Sequence, residues 1–307
     1  MNNSSSPTVS VVITTVDRRV LLRHAVRAAL AQDYTGEVEV LVVFDRVSAD
    51  PLDDVQVPPG RTLTVMTNHR SPGLAGARNT GILAAGGVYV GFCDDDDAWE
   101  RTKLSRQLAA WSLDTAAVAI GAGLRLISDT SMAVRTPPSR VGFRDLLRSR
   151  VTAVHSSSLL YRRADLTGRI GLVDETLPAS YGEDYDLLLR ATRFGHVRCV
   201  QEPLVLVRWG EHSMYAGKWE MLVAGLTYLL RKFPEFSTSA AGTARIAGQV
   251  AFAHAALGHR SEAWRWARSA LRRDPAQVRA YAAVLVATGA VSADTLLAFV
   301  QKRGRGV

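Results

Sequence analysis

Four consecutive aspartates directly follow a short apolar run that has the composition of a buried strand. Aspartate is a poor strand former, and adjacent carboxylates repel one another unless a cation or hydrogen-bond donors compensate them. Side chains alternate along an extended backbone, so Asp94 and Asp96 would share one side and the other two aspartates the opposite side. Such an Asp-x-Asp pair predicts a site for a hard divalent cation, Mg²⁺ or Mn²⁺, that carries a diphosphate. The alternative is a solvated acidic loop that caps a helix beginning near Trp99.

The first hundred residues alternate between strand-like and helix-like patterns. Continuous apolar runs predict strands at residues 9–15, 39–44, 63–67 and 88–93, and helical spacing predicts helices at residues 20–32 and 75–85. This alternation indicates an α/β fold, with a mostly parallel sheet flanked by helices on both faces. In such sheets ligands bind beyond the carboxyl ends of the strands, where Asp17, Asp45 and the four aspartates all fall.

The later part of the chain contains a second acidic segment and then changes in composition. Residues 183–186 contain three acids and open a predicted helix, residues 187–194, whose N-terminal dipole tolerates negative charge. After about residue 215 the chain is rich in Ala, Leu and Arg at helical spacing, and residues 253–275 resemble one tetratricopeptide hairpin. We therefore predict a main domain at residues 8–215 and a small α-helical C-terminal region at residues 216–307. One hairpin cannot bury its own face, so it should pack on the main domain or on another copy of the chain.

Composition limits the classes of binding partner and the cellular compartment that can be expected for this chain. The net charge of +8 suits nucleic acid, an anionic membrane surface or a phosphorylated substrate. The arginines are scattered and no nucleic-acid-binding motif is legible, so nucleic acid is not an expected partner. Two cysteines, no secretory signal and no apolar run as long as a membrane span together predict a cytoplasmic protein.

The order of these features resembles the family 2 inverting glycosyltransferases of the GT-A fold, over roughly residues 8–212. The resemblance rests on five segments in order, namely VVITTVDR at 11–18, LVVFD at 41–45, GARNTG at 76–81, FCDDDD at 92–97 and GEDYDL at 182–187. One such match is weak evidence, whereas five matches in this order and with similar spacing are specific.

The resemblance implies a nucleoside-diphosphate-sugar as donor. The turn after the first strand and the end of the second strand would hold the base and ribose, Asp95 would lie nearer the ribose, and Arg78 would lie near the diphosphate. The residues implied to contact the donor are Thr15, Asp17, Arg18, Asp45, Arg78, Asp94 and Asp95.

The resemblance also implies a metal site and a general base. Asp96 would bind Mg²⁺ or Mn²⁺ directly, with Asp94 as the other half of the pair. His212 lies where related enzymes often carry a histidine that reaches the metal or diphosphate, and an ordinary surface histidine is the alternative. Asp184 would take the proton of the acceptor hydroxyl, and Glu183 would orient the acceptor or Asp184 itself. The alternative for these two acids is that they only cap the helix that follows.

Three departures from the family pattern leave the donor base open among uridine, thymidine and guanosine: Thr14, Val16 and the single acid Asp45. The predicted function is metal-dependent transfer of a sugar, with inversion, to a hydroxyl or amine of a small-molecule or glycan acceptor. The alternative is a catalytically silent nucleotide-sugar-binding or scaffold protein that acts through its helical tail. A peripheral membrane contact and a homo-oligomer formed through that tail stay open. His155 is expected to be a core histidine, with a place at the acceptor cleft as the alternative.

Overall fold

The computed structural model describes residues 6–128, 131–208 and 218–302. The contacts divide the chain into two compact units. The first unit comprises Met1–Phe143, Val151–Thr176 and Glu183–Ser213, and the second comprises Arg144–Arg150, Leu177–Gly182 and Met214–Val307. The division into domains 8–215 and 216–307 stays a prediction of the sequence.

In the described part of the first unit, ten strands form one sheet in the order β3-β2-β1-β4-β9-β6-β10-β5, with β7 beside β6 and β8 beside β10. The long strands pair in parallel, namely β1 with β2 and β4, β2 with β3, and β6 with β10. The short strands pair antiparallel to their neighbours. The strands are β1 (Val9–Thr15), β2 (Val38–Phe44), β3 (Arg61–Thr67), β4 (Tyr89–Asp94), β5 (Ala98–Trp99), β6 (Ala117–Ile127), β7 (Met132–Arg135), β8 (Arg140–Val141), β9 (Leu160–Arg162) and β10 (His196–Arg208).

Helices flank the sheet and form most of the second unit. In chain order they are α1 (Arg19–Leu30), α2 (Leu74–Ala84), α3 (Lys103–Leu113), α4 (Phe143–Arg148), α5 (Arg163–Thr167), α6 (Glu183–Ala191), α7 (Trp219–Lys232), α8 (Ala240–Ala256), α9 (Arg260–Arg273), α10 (Val278–Ala287) and α11 (Ala293–Lys302). The described residues also contain three short 3-10 turns, Ser156–Ser158, Pro178–Ser180 and Pro234–Thr238.

The predicted α/β fold is confirmed, and its first four strands follow from composition. β1 and β2 are rich in Val and Ile and lie buried along almost their whole length, as strands covered on both faces do. β3 alternates between exposed and half-buried residues, as an edge strand can. Gly81 allows α2 to lie close to the sheet, because a Cβ at this position would lie 2.4 Å from Val12 Cγ1.

One local prediction is wrong. No helix begins near Trp99; Ala98–Trp99 instead forms β5, which pairs with β10, and α3 begins only at Lys103. The Trp99 indole N–H donates to the Ser157 carbonyl at 2.9 Å, which fixes the side chain of this strand. The four aspartates therefore do not cap a helix at this place.

The second unit has a core made largely of alanine. Ala251, Ala267 and Ala283, from three successive helices, are almost fully buried in one apolar cluster. α8 and α9 are joined by a short turn in which Gly258 has a φ of +76°, a conformation that favours glycine. The likeness of this hairpin to a tetratricopeptide unit stays a prediction. No helix in residues 6–128, 131–208 or 218–302 is both long and apolar enough to cross a membrane.

Candidate active site

The carboxyl ends of three neighbouring strands bring polar side chains to one edge of the sheet. β1 lies between β2 and β4, and the paired positions include Thr15 with Phe44 and Thr14 with Asp94. Asp45 follows β2 directly, and its amide donates to the Thr15 carbonyl at 2.9 Å. The expectation that the acids after β2 and β4 share this edge is therefore met by the geometry.

Asp94–Asp97, the first acidic group, is a turn and not an extended segment. β4 ends at Asp94, and the Asp97 amide donates to the Asp94 carbonyl at 3.0 Å. The alternation of side chains expected from an extended backbone therefore stops at Asp94. Asp95 and Asp97 are buried, whereas Asp94 and Asp96 are half-buried.

Arg18 and Thr15 hold the middle of the first acidic group. Asp95 accepts a hydrogen bond from the Thr15 hydroxyl at 2.6 Å and from Arg18 at 3.2 Å. Arg18 also forms an ion pair with Asp96. Burial raises the pKa of Asp95 to about 6, although both donors oppose this shift. Burial and the nearby charge of Asp94 likewise raise the pKa of Asp96.

The outer members of the group have different partners. Asp97 accepts from the Ser157 hydroxyl at 2.6 Å, and burial together with the charge of Asp94 raises its pKa well above the usual range. Asp94 accepts from Ser156 at 3.2 Å and from Arg78 at 2.7 Å. Burial acts to raise the pKa of Asp94, but the charges of Arg78 and His155, together with hydrogen bonds from Arg78 and Ser156, outweigh burial, so this pKa is lowered.

Arg78 links two acidic groups that lie far apart in the sequence. Its side chain is 3% exposed, bonds Asp94 on one side and Glu183 on the other, and lies over the Phe92 ring at 5.2 Å from the centroid. Burial acts to lower the pKa of Arg78, but these carboxylates outweigh it and raise the pKa, so the guanidinium stays charged. Its predicted place near a diphosphate stays a prediction.

The second acidic group is Glu183, Asp184 and Asp186, and it forms the first turn of α6 itself, since this helix begins at Glu183 and not at residue 187 as predicted. Asp186 is fully buried and accepts from Arg190 at 2.8 Å. Arg190 also donates to three main-chain carbonyls between residues 170 and 172. Asp184 is half-buried, and its charge reaches Arg78. Burial raises the pKa of the Tyr161 hydroxyl, and the charge of Asp184 adds to this shift.

A groove of about 610 Å³ lies beside the end of β2. Asp45 forms part of its wall and accepts from Asn68 at 2.8 Å, from the Gly73 amide at 3.0 Å and from Arg46 at 2.9 Å. Asp17, by contrast, is exposed and lies 3.7 Å from Arg19, so the structure does not bring it into the cluster around Arg18. Of the residues implied to hold the base and ribose, the groove is lined by Asp45, and the role of Asp45 stays a prediction.

Sequence reasoning missed several residues that complete this edge. Glu175 accepts from Asn79 at 2.6 Å and from Arg70 at 2.5 Å, and these donors, against the effect of burial, lower its pKa to about 2. No spacing in the sequence points to Glu175. Ser156 and Ser157 could have been predicted as site residues, because they belong to three successive serines next to an apolar run. Buried hydroxyl groups need hydrogen-bond partners, and the nearby aspartates can accept from them.

The side chains of the first acidic group fit a hard divalent cation. Among the described residues, the ligand atoms of Asp94, Asp97 and His155 all lie within 4.8 Å of one another. His155 is half-buried, not a core residue as expected, and its Nδ1 lies 3.6 Å from Asp97. Carboxylate oxygens are the ligands that Mg²⁺ and Mn²⁺ prefer, and the acids outnumber Arg18 and Arg78, which leaves negative charge for a cation to balance.

The predicted pair of metal ligands, Asp94 and Asp96, shares one member with the group of Asp94, Asp97 and His155. Asp94 belongs to it, whereas Asp96 is turned to Arg18. His212 lies outside the described residues. The ligand set of Asp94, Asp96 and His212 stays a prediction.

Comparison with known proteins points to one family. A sequence model described as glycosyl transferase family 2 matches residues 10–166. The chain is 31% identical over 33% of its length to the Escherichia coli UDP-Glc:alpha-D-GlcNAc-diphosphoundecaprenol beta-1,3-glucosyltransferase WfaP, covering 39% of that protein. It is 32% identical over 64% of its length to the Rhizobium meliloti succinoglycan biosynthesis protein ExoO, covering 59% of that protein. The matches thus span between 39% and 59% of these two relatives.

Solved structures share the fold at low identity. Staphylococcus aureus TarS 1–349 in complex with UDP matches with a TM-score of 0.56 at 17% identity, over 97% of this chain and 92% of that one. The mannosyltransferase PcManGT from Pyrobaculum calidifontis, in complex with GDP-Man and Mn²⁺, matches with a TM-score of 0.55 at 20% identity, over 97% of this chain and 81% of that one. At these identities the likeness concerns the fold alone.

Proposed function

This chain belongs to glycosyl transferase family 2, and from that premise we propose that it transfers a sugar, with inversion, from a nucleoside-diphosphate-sugar to a hydroxyl or amine of an acceptor. We propose further that the transfer depends on Mg²⁺ or Mn²⁺. One observation carries the proposal: buried Arg78 bonds both Asp94 of the first acidic group and Glu183 of the second. A donor-side cluster and an acceptor-side cluster are thereby held together around one charged side chain.

The first acidic group and the groove beside β2 form the donor side of the proposal. Asp45 would position the base, and the Thr15–Asp95 hydrogen bond would fix a carboxylate near the ribose. Asp94, with Asp96 or Asp97, would hold the cation, which when bound supplies positive charge to the leaving diphosphate. Arg78 would add a fixed positive charge at the same place without any reorganisation during the reaction.

Asp184 is the proposed general base. Asp184 lies in the first turn of α6 next to Glu183, is half-buried, and its charge reaches Arg78, which favours it for contact with the acceptor at this edge. In the proposed step the acceptor oxygen forms a bond to the anomeric carbon while the bond from that carbon to the diphosphate oxygen breaks. The acceptor proton passes to the carboxylate of Asp184, and the diphosphate leaves with the electron pair of the broken bond.

The alternative, a silent nucleotide-sugar-binding protein, would not need the second acidic group beside the first. Binding alone is served by the donor side, whereas a carboxylate on the acceptor side is required for proton removal. WfaP is named for a diphosphoundecaprenol acceptor, so a prenyl-diphosphate-linked sugar is the first acceptor to try with this chain. GDP-Man and UDP appear in the names of the neighbours, so the donor panel should contain both bases.

The test separates donor binding from turnover. Thermal shift with UDP, TDP and GDP, each with Mn²⁺, identifies the base, since a ligand at a hundred times its Kd stabilises the fold by about 2.7 kcal/mol. With the matching donor, Asp184→Asn should keep donor affinity and lower turnover by roughly 10² to 10⁴. Asp53→Asn, an exposed acid outside both groups, is the matched control and should keep full turnover.

Two results would contradict the proposal. Retention of most of the transfer rate in Asp184→Asn would place the base elsewhere. A wild-type protein that binds the donor with Mn²⁺ but neither transfers nor hydrolyses its sugar would favour the silent binding protein.

A further inference from the structure

Helix α9, in the second unit, has two faces of opposite character. Ala263, Ala267 and Ala270 are almost fully buried in the alanine core, which fixes the orientation of the helix. The opposite side presents Trp264, Arg265, Arg268, Arg272 and Arg273, which we call the basic face. These positions recur at helical spacing along about two and a half turns, so they form one continuous stripe.

The positive charge of the basic face is only weakly compensated. Arg265 pairs with Glu262 one turn away, and Arg273 donates to Ser269 at 2.7 Å. Within residues 218–302, no acidic side chain pairs with Arg268 or Arg272. The stripe therefore presents guanidinium groups to solvent in a row, which is a favourable arrangement for a surface of many negative charges.

Trp264 gives the basic face an apolar component. Its side chain is 45% exposed, which is unusual for the largest apolar residue unless the exposed ring has a use. α10, which packs against α9 in the alanine core, also exposes apolar side chains at helical spacing, namely Val278, Tyr281 and Leu285. Tryptophan beside arginine is typical of helices that lie in the interface of a membrane, where the ring enters the headgroup region and the cations meet anionic lipids.

We propose that the basic face of α9 docks the protein on an anionic lipid membrane. The buried alanine face keeps α9 in its unit, so the helix would lie flat on the bilayer and only Trp264 would enter it. A lipid surface fits better than a nucleic acid, because strand-tracking sites use several aromatic side chains for base stacking, whereas the described part of the basic face has one. The proposal does not depend on the proposed function, since docking needs neither donor nor turnover.

The experiment is sedimentation of the 307-residue chain with lipid vesicles. We expect binding to vesicles that contain phosphatidylglycerol, no binding to vesicles of phosphatidylcholine alone, and release by salt. The variant Arg268→Glu/Arg272→Glu should weaken the partition coefficient about 25-fold or more, because each arginine near an anionic surface contributes about fivefold. Both residues are exposed, and circular dichroism checks that the variant keeps its fold.

The matched control is Arg101→Glu/Arg106→Glu, which makes the same change in net charge at exposed positions of the first unit. This control should retain most of the vesicle binding. An equal loss in both double variants would show that net charge alone drives the binding, and would overturn the assignment to α9. Absence of wild-type binding to anionic vesicles would overturn it as well.

A second readout follows the tryptophan directly. Lipids with brominated chains should quench part of the intrinsic fluorescence of the wild type, and Trp264→Phe should remove that quenching while the variant still binds. Quenching that persists in Trp264→Phe would contradict the predicted depth of this ring. Tighter binding of a single-stranded oligonucleotide than of anionic vesicles, lost in the Arg268→Glu/Arg272→Glu variant, would assign the basic face to nucleic acid instead.

Discussion

The two acidic groups of this protein differ in how arginines compensate the charge of their neighbouring carboxylates. In the second group, Glu183 pairs with buried Arg78 and Asp186 pairs with half-buried Arg190, so each of these two carboxylates has an arginine beside it. In the first group, four adjacent carboxylates share Arg18 and Arg78, and burial with mutual repulsion raises the pKa of three of them. Paired carboxylates such as Glu183 and Asp186 suit a rigid framework, whereas an under-compensated group suits a site that takes up a cation.

The largest effect on stability is expected from replacing Arg78, the side chain that both acidic groups share. Arg78→Met leaves Asp94 and buried Glu183 without their cation, so the free energy of unfolding should fall by about 3 to 5 kcal/mol. Urea unfolding measures this loss. Arg106→Met, which breaks an exposed ion pair with Glu202, is the control and should cost about 1 kcal/mol or less.

A second variant separates lost pairing from lost packing. Adding Glu183→Gln to Arg78→Met should restore part of the stability, because the buried uncompensated charge is then gone. If Arg78→Met were as stable as the control, Arg78 would contribute nothing to the stability of the fold. This result would contradict the view that Arg78 balances the charge of both acidic groups.

The next test uses pH. The folded pKa of Asp95, about 6, lies above the ordinary value of 3.8, so the folded state binds the extra proton and this group's contribution to stability is lost as pH rises from about 4 to about 6. Asp95→Asn should remove that slope, so the stability of the wild type relative to the variant should fall by about 2 to 3 kcal/mol across this window. Unfolding in urea with a chelator present measures the difference. A constant difference between pH 4 and pH 7 would contradict the raised pKa.

The third test concerns the cation. Asp96→Ala removes a predicted ligand and relieves repulsion within the first group, so the fold should survive while Mn²⁺-dependent nucleotide affinity falls about tenfold or more. Calorimetry with and without Mn²⁺ measures it. Asp97→Asn should be compared directly, because the structure groups Asp97 with Asp94 and His155. Unchanged affinity in Asp96→Ala with a loss in Asp97→Asn would transfer the ligand role to Asp97.

The sequence predicted the sheet edge well, because that edge depends on local patterns. The apolar runs that become β1, β2 and β4 are continuous, and parallel strands place their ends side by side. The turn at Asp94–Asp97 could not be predicted in the same way. It depends on Ser157, 60 residues away, and the strand that replaced the expected helix depends on pairing between Trp99 and Val205.

The link between the two acidic groups through Arg78 could not be predicted from sequence patterns either. Arg78 and Glu183 are 105 residues apart, and neither periodicity nor composition indicates that one arginine serves both groups. The raised pKa of Asp95 has the same origin, since its burial beside Thr15, 80 residues away in the sequence, follows only from the packing of the fold. Residue types at strand ends can be predicted from the sequence, whereas their partners follow only from the packed fold.

The smallest expected effect comes from Thr15, which donates to Asp95 at 2.6 Å and so stabilises the charged form of this buried acid. Thr15→Val keeps the shape of the side chain but removes the donor, so the pKa of Asp95 should rise further, by less than about one unit. The pH window of the Asp95 slope would move upward accordingly, and the same urea series would detect it. Thr14→Val on the neighbouring residue is the control and should leave the window unchanged. A downward shift in Thr15→Val would mean that the hydroxyl favours the neutral acid, and that Arg18 alone keeps Asp95 charged in the first acidic group.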